Sequence, residues 1–318
     1  MLTEHLKTIK AFSHYGYICI NNGQHTHFIG NRNNKEIWNG GKINELLNIM
    51  KPTSLKHPNR SYIIYKWDGV SLRNMCNDFD DTILDFFKKV VRDDYVLFTA
   101  SLEKGLEYPT LEVLPTPYTY MYHTPPQYFV SNWSSKLNKA IWCGETSGID
   151  HERPTRKTRL IIYNKVKDNA NFVFQFTTTD LKSPGVKIHP IVSKEEQLKY
   201  KIILCIDGWA WPGNLSWVLY SGCLPIIISD FQIGITKHLV PWVHFVPAKT
   251  DGSDITENCE WVLNNKDKSQ IIIENLIALM KKVSTPCNMR DELSRLMNKK
   301  MNKKMNKKNL LFPRGTIK

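Results

Sequence analysis

Apolar positions along the chain fall into two kinds of run. Short continuous runs rich in β-branched and aromatic residues lie at Ser61–Lys66, Tyr95–Ala100, Lys139–Cys143, Phe172–Thr177, Ile202–Ile206 and Cys223–Ser229. Runs of that length predict strands, and Ile202–Ile206, apolar throughout, predicts a buried one of a parallel sheet. Stretches with helical spacing lie at Lys42–Met50, Ser71–Val91, Leu215–Tyr220, Thr256–Leu263, Ser269–Lys282 and from Met289 to about Lys308. Ser193-Lys194-Glu195-Glu196 has the form of a capping box and predicts a helix start. Cys19–Gly23 and His27–Gly30 read as strand ends, with Asn21-Asn22-Gly23 as a turn.

Strand and helix alternate in both parts of the chain, which predicts an α/β protein with two sheets. The aromatic, Ser/Asn-rich segment Pro125–Ser135 is the expected link, dividing the chain into 1–135 and 136–318. Asn31–Gly41, Lys51–Arg60 and Ser101–Tyr122 read as loops. The last hangs from a strand end and carries Glu103, Glu107 and Glu112, whose carboxylates face either a cleft or solvent.

The segment Lys199–Val246 organises the second part. The run Ile202–Ile206 ends in Asp207-Gly208, and a turn with Trp211, Pro212, Gly213 and Asn214 follows. Leu215–Tyr220 then starts a helix, Ser221-Gly222 stops it, and Cys223–Ser229 is the next strand. Such a βαβ unit binds ligands at the carboxyl ends of its strands, or stands unliganded. A turn with glycine and hydroxyl residues at a helix start offers N–H groups to a phosphate. A similar turn, Gly144-Glu145-Thr146-Ser147-Gly148, follows the strand at Lys139–Cys143 and precedes Arg153, Arg156 and Arg159. Backbone N–H groups and guanidinium forks both match the oxygens of a diphosphate.

Composition narrows the classes. The chain has 318 residues, 42% hydrophobic and 23% charged, as in ordinary globular proteins. No apolar run approaches the ~20 residues needed to cross a bilayer. The start, MLTEHLKTIKAF, lacks the apolar centre of a signal peptide, so a cytoplasmic protein without a transmembrane segment is expected. The 7 cysteines show no CxxC pair and no Cys/His cluster, which predicts reduced core thiols and no metal site. The net charge of +13 admits a polyanionic partner, and a basic nucleic-acid-binding protein is the alternative it raises. Much of the excess is local, however. Met-Asn-Lys-Lys repeats from Met297 to Lys308, reading as a solvated basic helix or frayed tail, and no nucleic-acid-reading motif accompanies it.

The phrase EEQLKYKIILCIDGWAWPGNLSWVLYSGCLPIII resembles the donor-binding core of glycosyltransferase family 90, the family of capsule-associated xylosyltransferases and protein O-glucosyltransferases. The resemblance rests on Lys199-Tyr200-Lys201, Asp207-Gly208 and Ser221-Gly222. Two further segments resemble the family in the same order: IWCGETSG with HERPTRKTRL, and PWVHFVPAKTDGSDITENCEWVLNN from Pro241. The resemblance implies a GT-B fold: two Rossmann-like domains facing across a cleft, the last helix crossing back to the first domain. Residues 1–135 would bind the acceptor and supply the base, and 136–318 would bind the UDP-sugar and add the basic helix.

It implies an inverting transfer of xylose or glucose from a UDP-sugar to a glycan or glycoprotein hydroxyl, by a monomer, with no metal or other cofactor and no nucleic acid. Such a transfer needs a carboxylate to take the acceptor's proton and positive charge or N–H dipoles on the departing UDP. Where the family has an aspartate base, this chain offers Glu103, by distance from the strand, or Glu107, by its Glu-Tyr-Pro context; Glu103 is preferred. The nucleotide-sugar site would comprise Gly144, Thr146, Ser147, Arg153, Arg156, Arg159, Asp207, Gly208, Trp211, Asn214, Ser216 and Ser221. Asn214 and Cys143 stand where relatives carry arginines. Those departures keep a second possibility open, a module that binds UDP or glycan without turnover. The missing leader, unlike secretory relatives, points to a viral or microbial enzyme working in the cytosol.

Overall fold

The computed structural model describes residues 17–28, 48, 50–65, 95–99, 101–104, 111–113, 132–146, 158–178, 186–208 and 210–298. Twelve strands are found among them. The first sheet contains β1 (Tyr17–Asn21), β2 (Gln24–Phe28), β3 (Ser61–Tyr65), β4 (Tyr95–Thr99) and β6 (Leu111–Val113), in the order β2-β1-β3-β4-β6. The two strand ends predicted near residue 20 are one hairpin, β1 against β2. Asn22 and Gly23 have φ of 48° and 73°, the paired left-handed turn whose twist suits two-residue hairpins.

The second sheet is parallel throughout, in the order β12-β10-β9-β7-β8. Its strands are β7 (Leu137–Glu145), β8 (Phe172–Thr178), β9 (Tyr200–Ile206), β10 (Leu224–Ile228) and β12 (Val246–Pro247). Among the described residues from 132 onward, the α-helices are α1 (Thr158–Val166), α2 (Lys194–Gln197), α3 (Leu215–Val218), α4 (Ile255–Asn264), α5 (Lys266–Val283) and α6 (Pro286–Asn298). Alternate residues of β9 enter different cores. Ile202, Leu204 and Ile206 pack with α1 and α4 on one face, and Ile203 and Cys205 pack with α3 on the other. Burial on both faces is why β9 and β10 read as unbroken apolar runs.

Several sequence expectations need correction. The expected loop over 51–60 is helical over 51–56, because Met50, Thr53 and Ser54 are buried and tertiary contact overrides loop composition. The expected loop Ser101–Tyr122 contains β6 and β5 (Ser101–Glu103). β5 pairs antiparallel with β11 (Phe231–Ile233), far away in sequence, so no local pattern could reveal it. α3 is a single α-turn rather than a helix to Tyr220, which instead closes an i to i+3 bond on Trp217 (3.0 Å).

α6 begins at Pro286, where a missing N–H is harmless. It lies on the first sheet, with Leu293, Leu296 and Met297 joining Ile18, Ile20, Tyr62 and Phe98 in one core. The first repeat of the basic tail therefore opens with a fully buried side chain, Met297. The α6 end is capped from the first sheet: Arg60 Nη1 donates to the Met297 carbonyl at 2.9 Å and Tyr62 Oη at 3.4 Å. Trp133, before the boundary expected at 135/136, sits in the second core and donates from Nε1 to the Lys201 carbonyl at 2.9 Å. Residues from 299 onward, and the expected helix Ser71–Val91, lie outside the described residues.

Candidate active site at the carboxyl edge of the parallel sheet

In the second sheet, β8 follows β7 outward on one side, while β9, β10 and β12 run outward on the other. The order therefore reverses between β7 and β9, and crevices of open α/β sheets form outside the carboxyl ends at such a reversal. A guanidinium occupies this place. Arg159, in the first turn of α1, donates from Nη1 to the Glu145 carbonyl at 2.8 Å and from Nη2 to the Ile206 carbonyl at 3.4 Å. Those carbonyls end β7 and β9. The guanidinium lies 5.3 Å from the centre of the Trp142 ring. Burial lowers its pKa to about 10, against the opposing pull of the Asp207 and Glu145 carboxylates. It stays cationic at neutral pH and puts a fixed positive charge at the switch point.

Gly144 and Thr146 flank the same edge. A Cβ on Gly144 would come within 2.8 Å of Trp142 Cζ2, so the ring itself requires glycine. Thr146 is fully buried. Asp207 follows β9 and is 1% exposed. Its Oδ2 accepts from the Asp230 N–H at 2.8 Å and its own N–H donates to the Ile228 carbonyl at 3.2 Å, which joins the ends of β9 and β10. Gly208 N–H donates to the Ala210 carbonyl at 3.1 Å.

The turn leading to α3 is tied to the protein. Asn214 Nδ2 donates to the Leu204 carbonyl at 2.8 Å, Ser216 Oγ to the Gly213 carbonyl at 2.9 Å, and Leu215 N–H to the Pro212 carbonyl at 3.0 Å. Trp211 is buried beside them. Ser221 is not part of this constellation. It lies between α3 and β10, at the amino end of the sheet, fully buried. Its Oγ donates to the Val218 carbonyl at 2.7 Å and accepts from Cys223 N–H at 3.0 Å, shaping the turn. Ser147, Arg153, Arg156 and Glu107 lie outside the described residues.

The β5–β11 pair brings the first part of the chain to this edge. Glu103 stands opposite Phe231 in the register, just past the end of β10. Lys104, which the sequence did not single out, locks the approach: its N–H donates to the Asp230 carbonyl and its Nζ to the Ser229 carbonyl, both at 2.6 Å. Asp230 was missed as well, although Ser229-Asp230 closes an apolar run much as Asp207-Gly208 does. Among the described residues, no three His, Cys, Asp or Glu side chains are grouped to hold a metal, and no helix is long and apolar enough to cross a membrane.

Comparison with known proteins bears on these features. An uncharacterized protein, 179R, of Invertebrate iridescent virus 6 is 27% identical over 206 residues, covering 54% of this chain and 17% of that protein. Protein O-glucosyltransferase 2 of Danio rerio is 29% identical over 150 residues, covering 44% of this chain and 28% of that protein. The chain thus spans well under half the length of these relatives. A solved glycosyltransferase structure from Rickettsia africae ESF-5 aligns over 69% of this chain and 67% of its own, at 8% identity and a TM-score of 0.41. The model described as glycosyl transferase family 90 matches residues 127–299, a span that includes Trp133, the whole parallel sheet and α1 to α6. With more than half of its residues so matched, the chain belongs to glycosyl transferase family 90.

Proposed function

We propose that this protein is an inverting glycosyltransferase that moves xylose or glucose from a UDP-sugar to a hydroxyl of a glycan or protein. The observation that carries this reading is the cationic Arg159 guanidinium at the switch point, where a diphosphate would meet positive charge. The UDP-sugar would lie along the edge formed by Gly144, Thr146, Asp207 and Gly208, with Trp211 at its flank. A GT-B arrangement is supported by two sheets bridged by β5–β11 and by α6 packing on the first sheet. The name of the zebrafish relative favours glucose as donor and a protein as acceptor.

In the proposed step the acceptor oxygen forms a bond to the anomeric carbon. The bond from that carbon to the phosphate oxygen breaks, and UDP departs with the electron pair. Glu103 takes the hydroxyl proton as the new bond forms. The step is a direct displacement and calls on no metal. The test is a panel of UDP-sugars read by UDP release, beside UDP-induced thermal stabilisation. UDP should raise the melting temperature, and UDP-glucose or UDP-xylose should be turned over. Glu103→Gln should abolish transfer and keep UDP binding. Normal transfer by that variant, with loss in Glu107→Gln, moves the base to Glu107. Indifference to every UDP-sugar and to UDP ends the proposal.

A further inference from the structure

Beside the proposed base lies a pocket of about 280 Å³ that shares Trp211 with the proposed donor site and none of its other residues. Buried Trp211, Leu215 and Phe231 form its floor, and the more exposed Lys104, Lys237 and Pro241 are at its mouth. Its polar liners are mostly engaged already. Lys104 Nζ is held by the Ser229 carbonyl. Ser229 Oγ accepts from Phe231 N–H at 3.0 Å, and Thr236 Oγ1 accepts from Ile233 N–H at 2.9 Å. Lys237 is paired with Glu292. The amide of Gln232 and the spare ammonium donors of Lys104 and Lys237, at the mouth, are the side-chain donors left for an occupant, and the floor is apolar. A hydroxyl-rich sugar seated here would exchange water for few partners, which is unfavourable; an apolar group would lose nothing.

Size restricts the occupant further. At ~30 Å³ per water-sized group, the pocket holds about nine of them. That suits one aromatic or branched aliphatic side chain and excludes a long acyl chain. Position matters too, because Lys104 follows Glu103 directly and Phe231 is the register partner of Glu103.

We propose that this pocket is an acceptor subsite taking one aromatic or branched aliphatic side chain of a polypeptide, next to the hydroxyl that receives the sugar. The proposal rests on the reading of Glu103 as base. It makes the acceptor a protein whose modified Ser or Thr stands beside a large apolar residue. The pocket selects the acceptor by that neighbour, and the carboxylate acts on the hydroxyl.

The experiment uses the full chain saturated with UDP and four probes: acetyl-Ser-Phe-amide, acetyl-Ser-Gly-amide, methyl β-glucoside and octyl β-glucoside. Binding is read by ligand-observed NMR and transfer by UDP release with the UDP-sugar. The Phe dipeptide should bind roughly tenfold to a hundredfold tighter than the Gly dipeptide, as expected for burying one phenyl ring. Gln232→Trp, which fills the pocket from a half-exposed strand position, should remove that preference. Phe245→Ala, which widens the pocket, should weaken the Phe dipeptide alone. Equal binding of the two dipeptides overturns the proposal. So does tighter binding of either glucoside than of the Phe dipeptide, or a preference that survives Gln232→Trp. A preference seen in binding without any UDP release upholds the pocket and refutes the transferase reading. UDP release without the preference does the reverse.

Discussion

Replacing Gly144 by alanine separates two explanations for that glycine. One is that a phosphate must approach its backbone. The other is that Trp142 leaves no space, and the structure favours the second. The new Cβ would lie 2.8 Å from Trp142 Cζ2 and 3.1 Å from Cη2. The indole cannot swing away, because Phe174 stacks on it at 4.4 Å and Phe176 meets it edge-on at 5.4 Å. The Arg159 guanidinium lies over the same ring at 5.3 Å. Overpacking of this kind costs ~1–3 kcal/mol, offset by ~0.4–1 kcal/mol from the stiffer unfolded chain. The net loss is roughly 1–2 kcal/mol, a fall of about 2–8 °C in Tm for a unit of this size. Urea unfolding of the unliganded protein reads the loss directly, and a UDP titration reads the site. UDP affinity should fall too, since displacing the ring displaces Arg159. A variant as stable as its parent without ligand, but unable to bind UDP, would refute the argument and return the glycine to the phosphate.

Three further outcomes test other parts of the structure. Arg159→Met should cost about 1–3 kcal/mol, because it leaves the Glu145 and Ile206 carbonyls at the ends of β7 and β9 without their guanidinium donor. Arg159→Lys should not restore stability, since one ammonium cannot span both strand-end carbonyls; full rescue in urea midpoints would show that charge alone matters. Glu292 on α6 is paired with Lys237 and lies 3.5 Å from His238, tying the helix on the first sheet to the segment after β11. Burial alone would raise its pKa, but hydrogen bonds and charge from His238 and Lys237 outweigh it and hold the carboxyl below its usual 4.5. A carboxyl depressed in the folded state stabilises above the unfolded value and ceases to do so as pH falls through the folded one. Stability should therefore drop more steeply below about pH 4.5 in the parent than in Glu292→Gln, and parallel urea-midpoint profiles from pH 3 to 7 would contradict this. Burial raises the Cys143 and Cys259 thiols to about 12 and also raises Cys205, while Cys287 is exposed. Among these four, iodoacetamide at pH 8 should modify Cys287 first, and equal labelling of Cys143 by peptide mapping would count against its burial.

The amino-acid sequence by itself determined the parallel sheet and its turns. Runs such as Ile202–Ile206 and Leu224–Ile228 are apolar at every position, because both faces are buried, and that property is local and legible. The Ser193 cap is local in the same way: its hydroxyl accepts from Glu196 N–H at 3.1 Å, within four residues. The resemblance to the family was legible too, since its motifs are contiguous strand ends and turns.

Tertiary structure alone decided how these pieces meet. Three-residue strands carry no periodicity, so β5 could not be distinguished from a loop until β11 was there to pair with it. Glycine and hydroxyl residues at turns look alike in sequence whether they face a ligand or their own backbone. Only the fold shows that Gly144 makes room for Trp142, that Asn214 holds Leu204, and that Ser221 lies at the opposite end of the sheet. Met297 reads as the start of a basic tail and proves to be core, because the sheet it covers is encoded more than two hundred residues earlier. Burial is a property of the partner as much as of the residue, and partners distant in sequence leave no mark on a local pattern.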